Sequence, residues 1–553
     1  MTASLIITNA KVLTMDPARP RAEAIAVSGN RITAIGTHAG IMREKGASTR
    51  VADAGGGSVI PGFVEAHMHL FAGAAELANL QLFGVRGFDE LKARTEAYVK
   101  ANPGDDLIIG EQVDYTILAG EPLSRHHLDR IVKDRPFMVF SPDHHTAWAN
   151  TLALEMAGLL KGAKLGPGNE VVMAADGLAQ GELREGEAFF PVRALSKKGM
   201  RDRLGLVTGG EPEPYPTKAE FESDLDIMRQ GLAHAARHGI TFLHNMDGNL
   251  YTLELLEELQ RRGELSARAR VPFHFKNFMD IAMLEKASLM AARYKSGMLS
   301  SGFVKLFADG VTDTGTAVMV DDYADQPGWK GEPLFEPQRF AKIAVEADRR
   351  GLQIAVHAIG DGAVRIVLDG YEAALKANGR RDSRHRVEHV EVIHPDDIPR
   401  FKELGVIASM QPPHPPGCHG LPLEPYLTKI GAKRWPYAFA WKTLRAAGAR
   451  IAFGTDWPVS DVSPLWSLQS AMTRGRWNDA MPDNRQSLHD ALHSYTADGA
   501  YVGFMEDKTG RLKEGMLADI CMLPADLEAT DPATFKGITP RMTVCDGRVV
   551  FEG

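Results

Sequence analysis

Eight short apolar runs recur between residues 58 and 454, and most are followed by a stretch with helical periodicity. That periodicity is clear in FESDLDIMRQGLAHAARHG and in PQRFAKIAVEADRRG. Strands that alternate with helices favour a parallel sheet, and eight repeats predict an α/β fold of the TIM (β/α)8 barrel type. The runs are Ser58–Phe63, Ile240–His244, Val271–Phe275, Phe303–Phe307, Leu352–His357, Arg386–Val390, Val406–Met410 and Arg450–Gly454.

Both ends of the chain carry short β-strand patterns instead. SLIITNAKVLTM and AEAIAVSGNRITAIG lie near the start, and RMTVCDGRVVFEG lies at the end, each with β-branched residues interrupted by turn residues. We expect residues 1–57 and 505–553 to form one small composite β-sandwich domain. Residues 58–71 and 221–504 then form the (β/α)8 barrel.

The segment 72–220 breaks the alternation of strand and helix. It contains apparent strands such as DLIIGEQV and RPFMVFS, and it is far longer than an ordinary loop. We therefore expect an inserted α/β subdomain after the first barrel strand, placed so that it caps the active site.

Charge and cysteine content exclude several classes of protein. There are 63 basic and 71 acidic residues, so the net charge is −8, and no basic block suggests a nucleic-acid partner. The three cysteines are few and far apart, which argues against a disulfide framework and favours a reducing cytoplasm. We expect neither a signal peptide nor a membrane span. No P-loop, dinucleotide fingerprint or GxSxG motif is present.

Residues that can bind a metal recur where the apolar runs stop. His67 and His69 in VIPGFVEAHMHL are two apart, so both side chains point to the same face of a strand. An HxH pair alone is weak evidence, but the other runs repeat the pattern. In a barrel these side chains converge at one rim, where active sites form. The further residues are His244, His274, Lys305, His357, His389 and Asp456.

Five motifs carry a family resemblance. PGFVEAHMH, VKLFADG, AVHAIGD, VEHV and FGTDWP, in this order, resemble the amidohydrolase superfamily, and most of all its family 3, typified by N-substituted formamide deformylase. DHHTAWANTLALEMAGL, DGLAQGELREGEAF and TGRLKEGMLADICML are also similar, so the resemblance covers nearly the whole chain. These motifs are specific for the family and uninformative about the substrate.

The resemblance implies a centre of one or two divalent metal ions. His67, His69 and Asp456 would hold the more buried ion, and His357 and His389 would hold the second. Nitrogen and oxygen ligands of this kind suit zinc, which we favour, as well as manganese, iron or cobalt.

Lys305 has two open interpretations. The resemblance implies that its amine is carboxylated and bridges both metals, and an unmodified ammonium has no lone pair to donate to a cation. The alternative is a buried lysine paired with Asp309.

The predicted reaction is hydrolysis of a C–N bond in a small amide or formamide by metal-activated hydroxide. Asp456 would accept the proton of the attacking water and return it to the leaving nitrogen. His145, or its neighbour His144, would donate a hydrogen bond to the carbonyl oxygen.

A deaminase or a cyclic-amide hydrolase on the same core, or a single-metal form, remains open. A metal-free binding or regulatory protein is disfavoured because every expected ligand position is filled. A homodimer is what the family suggests.

Three further features stay undecided or receive a structural interpretation. His244 and His274 fit a pocket or a core position equally well. PPHPPGCHG, residues 412–420, holds two histidines and a cysteine, but its prolines favour a rigid loop in the pocket wall over a second metal site.

Overall fold

The computed structural model describes residues 2–142, 144–166 and 169–553. The chain forms two compact units. The first contains Met1–Leu70, Gly205–Glu211 and Met228–Gly553, and the second contains Phe71–Leu204 and Pro212–Ile227.

Parallel strands that alternate with helices dominate the first unit. One sheet contains, in spatial order, Leu299–Ser300, Arg268–Arg270, Ile240–Asn245 and Phe63–Met68. A second sheet contains, in spatial order, Phe273–His274, Phe303–Phe307, Gln353–Ala358, Arg386–His389, Ile407–Met410 and Arg450–Phe453. Every neighbouring pair in both sheets is parallel.

The two parallel sheets are hydrogen-bonded to each other at one end of their strand order. The chain passes from Arg268–Arg270 in one sheet to Phe273–His274 in the other with two residues between them. Next to the end strands Phe63–Met68 and Arg450–Phe453, the Asp456 N–H donates to the His67 carbonyl oxygen at 2.8 Å, and the His69 N–H donates to the Trp457 carbonyl oxygen at 2.8 Å. The first and last strands of the series are therefore hydrogen-bonded just beyond their carboxyl ends.

The sequence predicted the run Ser58–Phe63 as the first strand of this series, and this prediction is wrong. Ser58–Pro61 pairs with strands from the chain ends, and the first parallel strand is Phe63–Met68. The chain crosses between the sheets at Gly62, where a Cβ would lie 2.2 Å from Thr241 Oγ1. The close packing leaves no room for a side chain, so a glycine stands at this crossing.

The run Val271–Phe275 is also divided. It contributes only Phe273–His274 to a strand, while the preceding strand ends at Arg270. Pro272 separates the two and has no N–H to donate to a neighbouring strand. An apolar pattern does not reveal such an interruption.

Strands from both chain ends pair in one sheet. A four-stranded sheet contains, in order, Arg31–Gly36, Ala24–Ser28, Leu5–Thr8 and Arg50–Asp53. A six-stranded sheet contains, in order, Arg548–Glu552, Met542–Cys545, Ile520–Met522, Ser58–Pro61, Lys11–Leu13 and Arg21–Ala22. Ile7, Ile25 and Val544 are among the buried residues of a core that both sheets share.

The second unit is built around a mixed sheet. In order it contains Glu170–Met173, Ala179–Arg184, Thr146–Ala149, Phe137–Phe140, Ile108–Glu111 and Leu80–Gln81. The segments DLIIGEQV and RPFMVFS contribute the strands Ile108–Glu111 and Phe137–Phe140, as predicted.

Helices connect most of the parallel strands. Pro337–Arg349 begins with a proline at its first turn, and Phe340, Ile343 and Ala347 form its buried stripe. Both helices predicted from periodicity are present. The α-helices are His38–Ile41, Leu70–Leu77, Phe88–Ala101, Arg125–Asp129, Thr151–Met156, Gly186–Arg193, Leu204–Val207, Lys218–Arg237, Leu250–Arg261, Leu284–Arg293, Pro337–Arg349, Asp361–Asn378, Ile398–Leu404, Tyr426–Ile430, Trp441–Ala446, Pro464–Thr473, Leu488–Ser494 and Ala497–Val502. The 3-10 helices are Met42–Glu44, Ile281–Met283, Pro395–Asp397, Trp435–Tyr437 and Pro532–Gly537.

Two further predictions concern membrane-spanning helices and disulfide bonds. Each helix in the described part of the chain is too short or too polar to cross a lipid bilayer. Cys418, Cys521 and Cys545 are buried free thiols, which agrees with the absence of a disulfide framework.

Candidate metal and catalytic site

The carboxyl ends of the parallel strands bring the predicted ligands to one edge of the sheets. Because the strands are parallel, residues at or just after their carboxyl ends lie at the same edge of the sheet. Lys305 lies within Phe303–Phe307, His357 within Gln353–Ala358, and His389 ends Arg386–His389. His67 and His69 lie at the end of Phe63–Met68, and Asp456 follows Arg450–Phe453 by three residues.

Asp456 lies at the centre of this cluster. Its Oδ1 is 3.0 Å from His69 Nε2 and 3.3 Å from His67 Nε2, and its Oδ2 is 3.9 Å from His389 Nδ1. One donor atom each from His67, His389 and Asp456 lie within 4.8 Å of one another, a spacing at which they could hold a metal ion.

His357 and Lys305 complete the cluster. The His389 ring centroid is 4.5 Å from that of His357 and 4.8 Å from that of His67. Lys305 is fully buried, its Nζ lies 4.7 Å from the Phe307 ring centroid, and the structure describes no hydrogen-bond partner for this amine. A buried amine without a partner requires an explanation.

In each of the four histidines of the cluster, one ring nitrogen is hydrogen-bonded to a side chain or carbonyl oxygen behind the cluster. His67 Nδ1 is 2.7 Å from Glu388 Oε2, and His69 Nδ1 contacts Asp247 Oδ1. An acceptor beside one ring nitrogen fixes the proton there and leaves the lone pair on the other nitrogen. The two remaining contacts are His389 Nδ1 with Gln411 Oε1 at 2.8 Å and His357 Nε2 with the Gly310 carbonyl oxygen at 2.9 Å.

The donor set fits a bound divalent metal. Within the described chain, His67 Nε2 and Asp456 Oδ1 are buried and have no hydrogen-bond partner. Imidazole nitrogens and carboxylate oxygens are the ligands of zinc-like ions, and histidines held by outer carboxylates or carbonyl oxygens are typical of such sites. A cation among these atoms accounts for both unpartnered groups.

Burial and neighbouring charges move the pKa values of His67 and His69 in opposite directions. Burial lowers the pKa of His67 to about 4, and Lys305 adds to the effect. Burial also acts to lower the pKa of His69, but Asp247 and Asp456 outweigh it and raise that pKa to about 9. The two neighbouring carboxylates therefore favour the protonated form of His69.

The backbone turns sharply at two of these residues. His389 has a φ of 75° and Asp456 a φ of 61°, both in the left-handed region that non-glycine residues seldom adopt. Next to Asp456, a Cβ at Gly454 would lie 2.6 Å from the His67 backbone nitrogen. Strained backbone of this kind concentrates at functional sites, because the surrounding structure must hold it.

Sequence reasoning missed the residues behind the ligands. Arg386 is fully buried and donates to Glu388, to the Ala66 carbonyl oxygen and to Ser409 Oγ at 2.8 Å. Glu388 is ionised, because Arg386 and His67 outweigh burial and hold its pKa far below the usual range. The signal in the sequence was the presence of two charged residues, Arg386 and Glu388, within a predicted buried strand.

His414 was assigned to a loop wall, and the structure places it beside the cluster. Its Nε2 is 3.9 Å from Asp456 Oδ2, its Nδ1 is 3.8 Å from Glu391 Oε1, and its ring stacks on His389 with centroids 6.0 Å apart. Cys418 and His419 from the same segment are not part of this group: His419 stacks on Trp466 at 3.7 Å.

The alternative of a Lys305–Asp309 pair is not supported. The Asp309 carboxylate accepts three backbone N–H groups, from Val318 at 2.9 Å, Ile359 at 3.0 Å and Gly360 at 2.9 Å. These three donors satisfy the carboxylate and tie two loops to the strand end.

The remaining histidines separate into different environments. His244 is buried beside Arg386 Nη1 at 3.0 Å, so it belongs to the layer behind the ligands. His274 is buried and stacks on Phe307 with centroids 5.3 Å apart. His145 lies in the second unit, where its Nδ1 is 3.0 Å from Glu185 Oε1, and its catalytic role stays a prediction.

The α/β alternation and the imidazole–carboxylate cluster fit a metal-binding hydrolase. A family model described as "Amidohydrolase family" matches residues 50–551, which is nearly the whole chain. The protein belongs to the amidohydrolase family, in its family 3, and is an enzyme of that class.

Individual proteins and solved structures are also similar to this chain over nearly its whole length. The protein LONG AFTER FAR-RED 3 of Arabidopsis thaliana is 28% identical over 556 residues, which cover 97% of this chain and 91% of that protein. N-substituted formamide deformylase of Arthrobacter pascens is 23% identical over 569 residues, covering 99% and 98%. The crystal structure of an uncharacterised metal-dependent hydrolase from Pyrococcus furiosus is 25% identical, with a TM-score of 0.71 and coverage of 96% and 99%.

Proposed function

We propose that this enzyme hydrolyses the C–N bond of a small amide or N-substituted formamide at a centre of two divalent metal ions, most favourably zinc. The observation that carries the proposal is the convergence of His67, His69 and His389 on Asp456, with buried donor atoms that have no protein partner among the described residues. The formamide deformylase relative supports the choice of bond. The hydrogen bonds between the first and last strands of the two parallel sheets support a closed (β/α)8 barrel around this centre.

Two groups of residues would hold the ions. His67, His69 and Asp456 form the first group, and His357 and His389 form the second. A bound divalent metal would supply a water that is acidic enough to act as a nucleophile at neutral pH and would polarise the substrate carbonyl.

Lys305 would bridge the two groups as a carbamate. An ammonium in this position would face cations and could donate no lone pair to them. Carbon dioxide adds to the neutral amine, the nitrogen releases one proton to water, and the product is an anionic carbamate with two oxygen donor atoms. Full burial protects such a group from water, and Nζ has no hydrogen-bond partner among the described residues.

Asp456 would move the proton in the reaction. Its carboxylate is ionised, because burial, which would raise its pKa, is outweighed by His67, His69 and His389. An ionised carboxylate here can accept a proton from the attacking water and deliver it to the leaving nitrogen. His67 and His69 are kept in place during this transfer by Glu388 and Asp247.

The first experiment is elemental analysis of the purified protein, followed by assays of N-substituted formamides and simple amides. Two metal ions per chain together with release of amine support the proposal, and one ion per chain favours the single-metal form. Protein that stays free of metal after growth in supplemented medium, or that leaves every C–N bond intact when loaded, overturns it.

A further inference from the structure

Three side chains of the second unit form another cluster of possible metal ligands. Glu76 lies near the end of a helix, Glu111 ends the strand Ile108–Glu111, and His144 follows the strand Phe137–Phe140 by four residues. The two strands are parallel neighbours, so Glu111 and His144 lie at the same edge of the sheet. One donor atom from each of the three side chains lies within 4.8 Å of the other two, and His144 Nε2 is 3.8 Å from Glu76 Oε2.

Each of the two carboxylates is held from outside the cluster through one oxygen. Asn79 Nδ2 donates to Glu111 Oε1 at 2.7 Å, and the Arg203 guanidinium donates to Glu76 Oε1. Both carboxylates are buried, with Glu76 5% and Glu111 1% exposed. Donors placed behind a ligand in this way orient it toward a metal ion, as the partners of His67 do in the first unit.

Glu111 has a buried oxygen that requires a ligand. Its Oε2 has no hydrogen-bond partner among the described residues. Burial, together with the charge of Glu76, raises the pKa of this carboxyl group to about 8, although Arg193 and Arg203 act to lower it. Two buried carboxylates side by side repel each other unless a cation or a proton lies between them.

We propose that Glu76, Glu111 and His144 bind a further divalent metal ion, most favourably zinc, which ties a helix, a strand and a turn of the second unit together. An imidazole nitrogen combined with carboxylate oxygens suits zinc better than magnesium or calcium, which prefer oxygen ligands. Three protein ligands leave a position for water. His144 is partly exposed and lets an ion reach the two buried carboxylates. His145 stays the predicted donor to the substrate carbonyl oxygen.

The charges around the cluster favour a cation over a shared proton. Arg203 pairs with Glu76, and Arg193 pairs with Asp202 at 2.9 Å. In the described part of the chain, no basic side chain forms an ion pair with Glu111, so its carboxylate is the one left without compensation. A metal ion would compensate it and would also bind the imidazole, whereas a shared proton would join only the two carboxyl groups.

The test measures bound zinc in the full-length protein and in variants of this cluster. Each protein is equilibrated with zinc buffered in the micromolar range, freed of unbound metal by gel filtration and analysed for zinc per chain. We expect the parent to hold one zinc more than Glu111→Gln, because loss of a ligand weakens binding beyond the roughly 10- to 100-fold that loss of an outer partner costs. Glu121→Gln, whose side chain is 66% exposed, is the matched control and should keep the zinc content of the parent.

His144→Asn is a second variant and should lose the same zinc ion. Its backbone has a φ of 59°, a left-handed conformation that asparagine tolerates, so the change removes the imidazole without forcing the turn to move. Because this side chain is partly exposed, the variant remains informative if Glu111→Gln fails to fold.

Anomalous diffraction at the zinc edge locates the ion directly. Crystals of the parent should give a peak between Glu76, Glu111 and His144, and crystals of His144→Asn should lack it. Equal zinc content in the parent and both variants, a parent without this peak, or zinc that enters only in the millimolar range overturns the inference and leaves the shared proton. The ligands of the first unit are intact in every variant, so the zinc that Glu111→Gln retains counts the proposed catalytic centre alone, and the two proposals fail independently.

Discussion

His67 Nδ1 lies 2.7 Å from Glu388 Oε2, and both side chains are almost fully buried. Glu388 in turn is held by Arg386, so one ion pair fixes which nitrogen of His67 carries the proton. The lone pair of Nε2 consequently points toward Asp456. The orientation of a proposed ligand is set here by residues that would not touch the metal.

Glu388→Gln should weaken metal binding without removing a ligand. The amide can present its NH2 group to His67 and favour the wrong ring tautomer, so we expect metal affinity to fall about 10- to 100-fold. Competition with a fluorescent chelator measures it. Glu372→Gln, a change at the surface, is the control, and equal affinity in the Glu388 variant and the parent would contradict the role.

Asp456→Asn should affect turnover far more than substrate binding. The amide cannot accept a proton, so we expect kcat to fall by about 100- to 10,000-fold while KM changes little. Steady-state kinetics at matched metal content measure both constants. Asp461→Asn, at an exposed position five residues later, serves as the control. Turnover that survives in the Asp456 variant would rule out the proton transfer.

Lys305→Ala should lose activity and recover part of it with added formate or acetate. A short carboxylate can enter the space and take the place of the carbamate oxygens. Mass spectrometry of the native parent under gentle conditions should reveal the added carbon dioxide, since the modification reverses in acid. Full activity in the variant without added carboxylate would remove the bridging role.

Chelation should inactivate the enzyme and reduce its thermal stability together. Ligands that bind only the folded protein stabilise it by about 4 kcal/mol at a thousandfold excess over Kd, so removal of a tight metal lowers the melting temperature. Differential scanning calorimetry and the formamide assay, before and after chelator, give both values. Zinc, manganese or cobalt should restore them, and activity that persists in metal-free protein would be incompatible with the proposed centre.

Asp309→Asn should destabilise the fold around the site. The carboxylate accepts three backbone N–H groups, and an amide offers a single acceptor atom in their place. We expect a loss of about 1–3 kcal/mol in unfolding free energy. Denaturant unfolding measures it, with Asp369→Asn as the control, because the Asp369 side chain is 62% exposed. A stability equal to that of the parent would show that these hydrogen bonds contribute little.

The sequence by itself determined the strand–helix alternation and the residues that we propose as metal ligands, since both are local patterns. Apolar runs with a period of two or 3.6 residues report on one face of one element, and HxH fixes two side chains on one side of a strand. His67, His69, Lys305, His357, His389 and Asp456 were found in this way and through the family motifs.

Only the tertiary structure decided what lies behind and beside those ligands. Glu388 and Asp247 reach His67 and His69 across 321 and 178 residues of chain, distances at which no spacing rule applies. The place where the chain changes sheets depends on the space beside Gly62, which a Thr241 side chain from another strand fills. The position of His414 against Asp456 likewise follows from how loops pack after the strands are assembled, because contact between distant residues is a property of the packed chain.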